Sequence, residues 1–138
     1  MLSPHKTGKV LIVEDEFLVA LQIEDMMLDC GHSVVGMIAD LGSLEGIDIA
    51  PDVALVDLNL RDGLTGPEIA RIVSEKFGSR IVYVTANPNE LELPAPTALG
   101  IVQKPFSREA IIAAIDYALN DNAGGPPPSD LEPLTGTR

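Results

Sequence analysis

The chain has 138 residues, 46% of them hydrophobic and 22% charged, which is enough for one globular domain with a real core. A formal net charge of −12 and a pI near 4.3 argue against nucleic acid or an anionic membrane as a direct partner, because both select a basic surface. The single cysteine, Cys30, excludes an internal disulfide and a cysteine metal cluster, and no apolar run approaches the roughly 18 residues of a membrane span.

Residues 1–8 read as a polar lead-in without the apolar centre of a secretion signal, so the chain is expected to be cytoplasmic. Residues 9–13 (KVLIV) form a short apolar run, the pattern of a parallel-sheet strand buried on both faces, and end on Glu14, Asp15 and Glu16. From Phe17 the period changes. Val19, Ile23, Met26, Met27 and Cys30 share one face of an amphipathic helix that Gly31 terminates, so Cys30 and the methionines are core. Residues 33–39 (SVVGMIA) are a third strand-like run. Leu41, Leu44 and Ile47 then recur at helical spacing, but Gly42 and Gly46 limit this stretch to one or two turns.

Residues 53–56 (VALV) follow the turn Ala50-Pro51-Asp52 and stop at Asp57. An ionised carboxylate is costly inside a sheet, so Asp57 belongs at the strand's C-terminal edge, where open α/β sheets bind ligands. Thr65-Gly66-Pro67-Glu68 fits a capping box, and Ile69, Val73 and Phe77 give the following helix its buried face up to Gly78. Residues 80–85 (RIVYVT) are a strand that finishes on a hydroxyl. Pro88, Pro94 and Pro96 leave room for at most one helical turn in residues 86–98. Ile101 and Val102 form a short strand before Gln103-Lys104-Pro105, and Ser107 caps a last helix with Ile111, Ile112, Ile115 and Leu119 inward. Residues 120–138 are rich in glycine and proline with few groups to bury, as in a flexible tail that the fold does not need. His5 and His32 are isolated and expected at the surface.

Strands alternating with helices make an α/β layered fold with a parallel sheet. Its strand ends share one edge, so Glu14, Asp15, Asp57, Thr85 and Lys104 can converge. Three carboxylates in contact need a cation. Magnesium suits hard oxygen ligands completed by a phosphate, with Lys104 and Thr85 facing phosphoryl oxygens.

The motifs VLIVEDE (10–16), ALVDLNLRDG (54–63), YVTA (83–86) and QKPF (103–106), in this order, resemble the receiver domain of bacterial two-component response regulators over residues 9–119. The resemblance implies a flavodoxin-like, doubly wound five-stranded parallel sheet of order 2-1-3-4-5; the chain departs from the family where the proline-containing residues 86–98 leave the fourth helix short or replaced by a loop. It implies that Asp57 is the phosphoacceptor and that Glu14, Asp15, Asp57 and the Asn59 main-chain carbonyl hold Mg2+. Thr85 is then the switch hydroxyl and Lys104 the phosphate-binding lysine, followed by a cis proline peptide. The implied partners are a sensor histidine kinase or histidine phosphotransfer protein and a downstream protein target. Ile101 stands where the family is usually aromatic, and Arg61 where a proline is often found, in a loop one residue longer. These departures bear on how the signal is read out. Two alternatives stay open: a magnesium-dependent phosphatase working through an aspartyl-phosphate, and an unphosphorylated receiver-like scaffold. The first usually carries an acid at the place of Asn59.

Overall fold

The computed structural model describes residues 6–120 and 126–134. Five strands, β1 (Lys9–Val13), β2 (Ser33–Ile38), β3 (Val53–Val56), β4 (Arg80–Thr85) and β5 (Ala98–Gln103), form one parallel sheet of order β2-β1-β3-β4-β5. Three α-helices accompany them: α1 (Phe17–Asp29), α2 (Gly66–Phe77) and α3 (Arg108–Leu119). Strand alternation sorts the core in two. Val10, Ile12, Val53, Leu55, Val82, Val84 and Val102 lie with α1 and α3 on one face, while Leu11, Val13, Ala54, Val56, Ile81, Tyr83 and Ile101 lie with α2 on the other.

The stretch after β2 is a five-residue 3₁₀ segment, Gly42–Gly46, and the one after β4 is Pro88–Glu90, so both helices that the glycines and prolines weaken are reduced to a turn. Gly31 and Gly78 take the left-handed conformation expected at helix ends (φ 85° and 68°), Ser107 accepts the Ala110 N–H at 3.0 Å, and the Lys104–Pro105 peptide is cis. No helix among the described residues is long and apolar enough to cross a membrane.

Three expectations are corrected. Thr65 makes no capping box: its hydroxyl donates to Asp62, and Glu68 pairs with Arg71 instead. His32 is buried, its Nδ1 accepting the Gly8 N–H at 3.2 Å, so the short connection between α1 and β2 is held against the residue before β1. His5 lies outside the described residues. β5 is longer than the Ile101–Val102 pair, because Ala98 already registers with Ile81.

Part of the tail also meets the sheet. Residues 126–134 return to β5, where Ile101 and Glu132 exchange two antiparallel main-chain hydrogen bonds and Leu131 is 2% exposed. Burying Leu131 contributes about 1.5–3 kcal/mol and each hydrogen bond about 1 kcal/mol, and the prolines lower the entropy lost on ordering the segment. Residues 121–125 and 135–138 lie outside the described part of the tail.

Residues 95–98 are firmly attached. The buried Tyr83 hydroxyl accepts the Ala95 N–H at 2.9 Å, and the Thr97 hydroxyl meets Ser74 Oγ at 2.7 Å. Tyr83→Phe leaves the Ala95 N–H without that acceptor and is expected to destabilise by about 1–3 kcal/mol, read from the urea midpoint at unchanged slope. An unchanged midpoint would show that the hydroxyl does not anchor this segment.

Candidate functional site

Parallel strands put the C-terminal ends of β1, β3, β4 and β5 on one edge, and each delivers one polar residue there. The sheet ladder continues through them. Glu14 N–H donates to the Ile38 carbonyl, Asp57 N–H to Val13 and Lys104 N–H to Thr85, each at 2.9 Å. Glu14, Asp57 and Lys104 are therefore positioned by sheet backbone.

The Lys104 ammonium lies 2.8 Å from Glu14 Oε1 and 2.8 Å from Asp57 Oδ2, with Glu16 Oε1 at 3.7 Å. Glu14 and Asp57 are both buried, 5% and 7% exposed. Asp57 Oδ1 accepts the Leu58 N–H at 2.7 Å and Glu14 Oε2 the Glu16 N–H at 3.1 Å, so each carboxylate has one oxygen on backbone and one on the lysine. Asp15 is exposed, yet its carboxylate comes within 4.8 Å of those of Glu14 and Asp57. Thr85 is buried beside them and its Oγ1 accepts the Asn87 N–H at 3.1 Å. Asn59 turns its side-chain amide away, to Glu90.

Burial pushes the Glu14 carboxyl up, although Lys104 and the Glu16 N–H hold it back. For Lys104, burial pulls down, but the hydrogen bonds and charges of Asp57 and Glu14 outweigh it and the ammonium is held above its ordinary range. One cation thus faces three clustered acids. Unit charges 4 Å apart repel by about 4 kcal/mol at an effective dielectric near 20, and by less where water screens Asp15. A set of carboxylate oxygens without histidine or cysteine fits a hard divalent cation such as Mg2+.

The structure also explains Arg61. Its guanidinium binds Asp40 Oδ2 through Nε (2.8 Å) and Nη2 (2.5 Å), while Asp62 accepts the Leu41 N–H at 3.1 Å and the Thr65 hydroxyl. The longer loop after Asp57 is tied in this way to the end of β2. Sequence reasoning missed Glu16 as a neighbour of Lys104 and Glu90 as the partner of Asn59. Glu16 was signalled by the acidic triplet, whereas nothing in the pattern around Glu90 marked it.

A five-stranded parallel sheet of this order, with an acid–lysine pocket at the C-terminal ends of its strands, is the arrangement of a flavodoxin-like receiver. No protein-family model matches the chain. It is 31% identical over 126 residues to the phyllosphere-induced regulator PhyR of Methylorubrum extorquens, an alignment covering 86% of this chain and 46% of that protein. The chain spans about half the length of the curated relatives it matches. The fold superposes with a TM-score of 0.75 on the receiver domain of the Erythrobacter litoralis PhyR response regulator, at 30% identity over 83% of this chain and 91% of that one. The anti-anti-sigma factor PhyR of Bartonella quintana is similar at 30% identity and a TM-score of 0.68, over 85% of this chain and 49% of that one. The chain belongs to the receiver-domain family of two-component response regulators, and as such it is a signalling switch.

Asp40 offers a test of the loop clamp. Hydrogen bonds from Ser43 and Arg61 hold its carboxyl at about 2, below the usual 3.8. A depressed pKa means that ionised Asp40 stabilises the fold above about pH 3.8 and that this contribution is lost as pH falls toward about 2. Asp40→Asn is expected to flatten the fall of the urea midpoint across that window. An identical pH slope in the variant would show that the clamp is not closed in solution.

Proposed function

We propose that this domain accepts a phosphoryl group from a phosphohistidine onto Asp57, and that the donor is a sensor histidine kinase or histidine phosphotransfer protein in the cytoplasm. The observation that carries this reading is the Lys104 ammonium held at 2.8 Å from both Asp57 and Glu14, with Asp15 beside them. One Asp57 oxygen forms the new bond to phosphorus while the phosphorus–nitrogen bond of the donor breaks and its imidazole leaves with the electron pair. Such transfer depends on position and charge neutralisation more than on acid–base groups. Lys104 is placed to exchange its Asp57 contact for a phosphoryl oxygen. Thr85 uses a lone pair for Asn87, which leaves its O–H to donate to the same group. Glu14, Asp15, Asp57 and the Asn59 carbonyl are the ligands we assign to Mg2+, which when bound supplies further neutralisation of the phosphoryl oxygens. Residues 9–119 are the switching unit. Similarity to the receiver half of a protein named as an anti-anti-sigma factor points to a protein, and not DNA, as the downstream partner.

Incubation with acetyl phosphate and Mg2+ is expected to add one phosphoryl mass to the wild type and none to Asp57→Asn, because an amide is not a nucleophile here. Labelling of Asp57→Asn to the wild-type extent would refute the assignment. Asp15→Asn is expected to move the magnesium dependence of labelling to higher concentration, by about tenfold if one charge–ion contact is lost. Sustained turnover of small phosphate esters would instead favour a phosphatase.

A further inference from the structure

β5 ends the sheet, so its outer main-chain edge is available for pairing. Residues 126–134 use it sparingly. A turn closed by the Leu131 N–H on the Pro128 carbonyl (3.1 Å) precedes the Ile101–Glu132 pair, whose two hydrogen bonds measure 2.9 and 2.8 Å. Among the described residues, the ladder on this edge is that single bridge. Leu131 enters the core on the α1–α3 face, and Leu134 packs against the cluster on the α2 face, so the segment straddles the sheet edge. β5 makes room for it. A Cβ at Gly100 would stand 2.5 Å from the Glu132 carbonyl oxygen and 2.9 Å from Leu131 carbons.

An exposed strand edge, a missing side chain and an apolar socket are what recognition by strand addition requires. The resident segment fits the backbone but not the charge. Glu132 shares its groove with Glu92, no lysine or arginine lines that groove, and Asp130 precedes Leu131 in a chain of net charge −12. Asp130 and Glu132 are both exposed, so the edge itself does not demand acids there. We propose that the β5 edge is a docking site for an extended segment of a partner protein. That segment carries a leucine-sized residue in the Leu131 socket, flanked by lysine or arginine and followed by a residue other than proline. Residues 130–133 are the tethered occupant that the partner displaces. The non-proline requirement comes from the Glu132 N–H, which donates to Ile101; Pro133 shows that the next position tolerates proline. The site does not depend on phosphoryl transfer.

The test uses the full chain and two peptides: Ser-Asp-Leu-Glu-Pro-Leu, as in residues 129–134, and the same peptide with lysine in place of Asp130 and Glu132. Leu131→Asp, or Glu132→Pro where the first variant does not fold, vacates the edge. The vacated protein is expected to bind the lysine peptide about tenfold more tightly than the acidic one at low salt. Wild type is expected to bind it more weakly because the resident competes, and Gly100→Val in the vacated background is expected to bind neither. Failure of a folded, vacated protein to bind either peptide overturns the proposal, as does binding that survives Gly100→Val. Equal affinities overturn the basic-flank assignment. A wild type that dimerises with concentration while Leu131 and Glu132 keep their amide protection would make a second copy the occupant and overturn the partner assignment.

Discussion

Glu14 and Asp57 are withdrawn from water at the end of the sheet, and the Lys104 ammonium is what makes that tolerable. Removing one member of such a buried group typically costs several kcal/mol, because the others are left uncompensated. The contact imposes a topology. Lys104 follows β5, while Asp57 follows β3, and β4 lies between them. Two strand spacings amount to roughly 10 Å, which an extended lysine covers only if nothing bulky stands at the end of β4. Thr85 is there: short, buried, and already engaged by the Asn87 N–H. A hydroxyl at this point serves both the reach of the lysine and the chemistry proposed for the pocket.

Position of the carboxylate is a second constraint, and it is met by backbone. Gly66 packs so closely on the end of β3 that a Cβ there would stand 1.9 Å from the Asp57 carbonyl oxygen and 2.7 Å from Leu58 Cα. Its N–H donates to the Leu58 carbonyl at 3.0 Å. The start of α2 thus pins the residue after Asp57, whose own N–H holds Asp57 Oδ1. Arg61 and Asp62 then fasten the intervening loop to Asp40 and Leu41. Where a proline would stiffen this loop through its own ring, charged and polar side chains do so through neighbours.

Legibility in the sequence followed burial. The five strands were readable because each is an apolar run cut off by a polar residue, and the candidate pocket was readable for the same reason: its residues lie at or just after the ends of those runs. The helix ends at Gly31, Gly78 and Ser107 were legible because their signals are local. Thr65 shows the limit, since its hydroxyl had a second acceptor, Asp62, that the four-residue pattern does not contain. His32 and Glu90 were missed because their surroundings come from residues distant in sequence, Gly8 for one and Asn59 for the other. The return of residues 126–134 to β5 was illegible for a different reason. Its contact with β5 is made mainly by main chain and by one leucine, and neither leaves a periodic trace.

β5 connects these two parts of the molecule. Ile101 bonds to Glu132 through its backbone, and Lys104, three residues on, bonds to Asp57 through its side chain. In the usual family pattern an aromatic ring stands at the place of Ile101. Here the side chain is smaller, and Leu134 of the returning segment packs against the cluster that contains it. Apolar volume given up at position 101 is therefore supplied next to that position by a segment that lies elsewhere in the sequence. That arrangement assigns the contact to a peptide segment and not to a side chain of β5 itself. One strand thus carries the pocket lysine at its end and the main-chain pair with the returning segment at its middle, so both contacts rest on the same contiguous element.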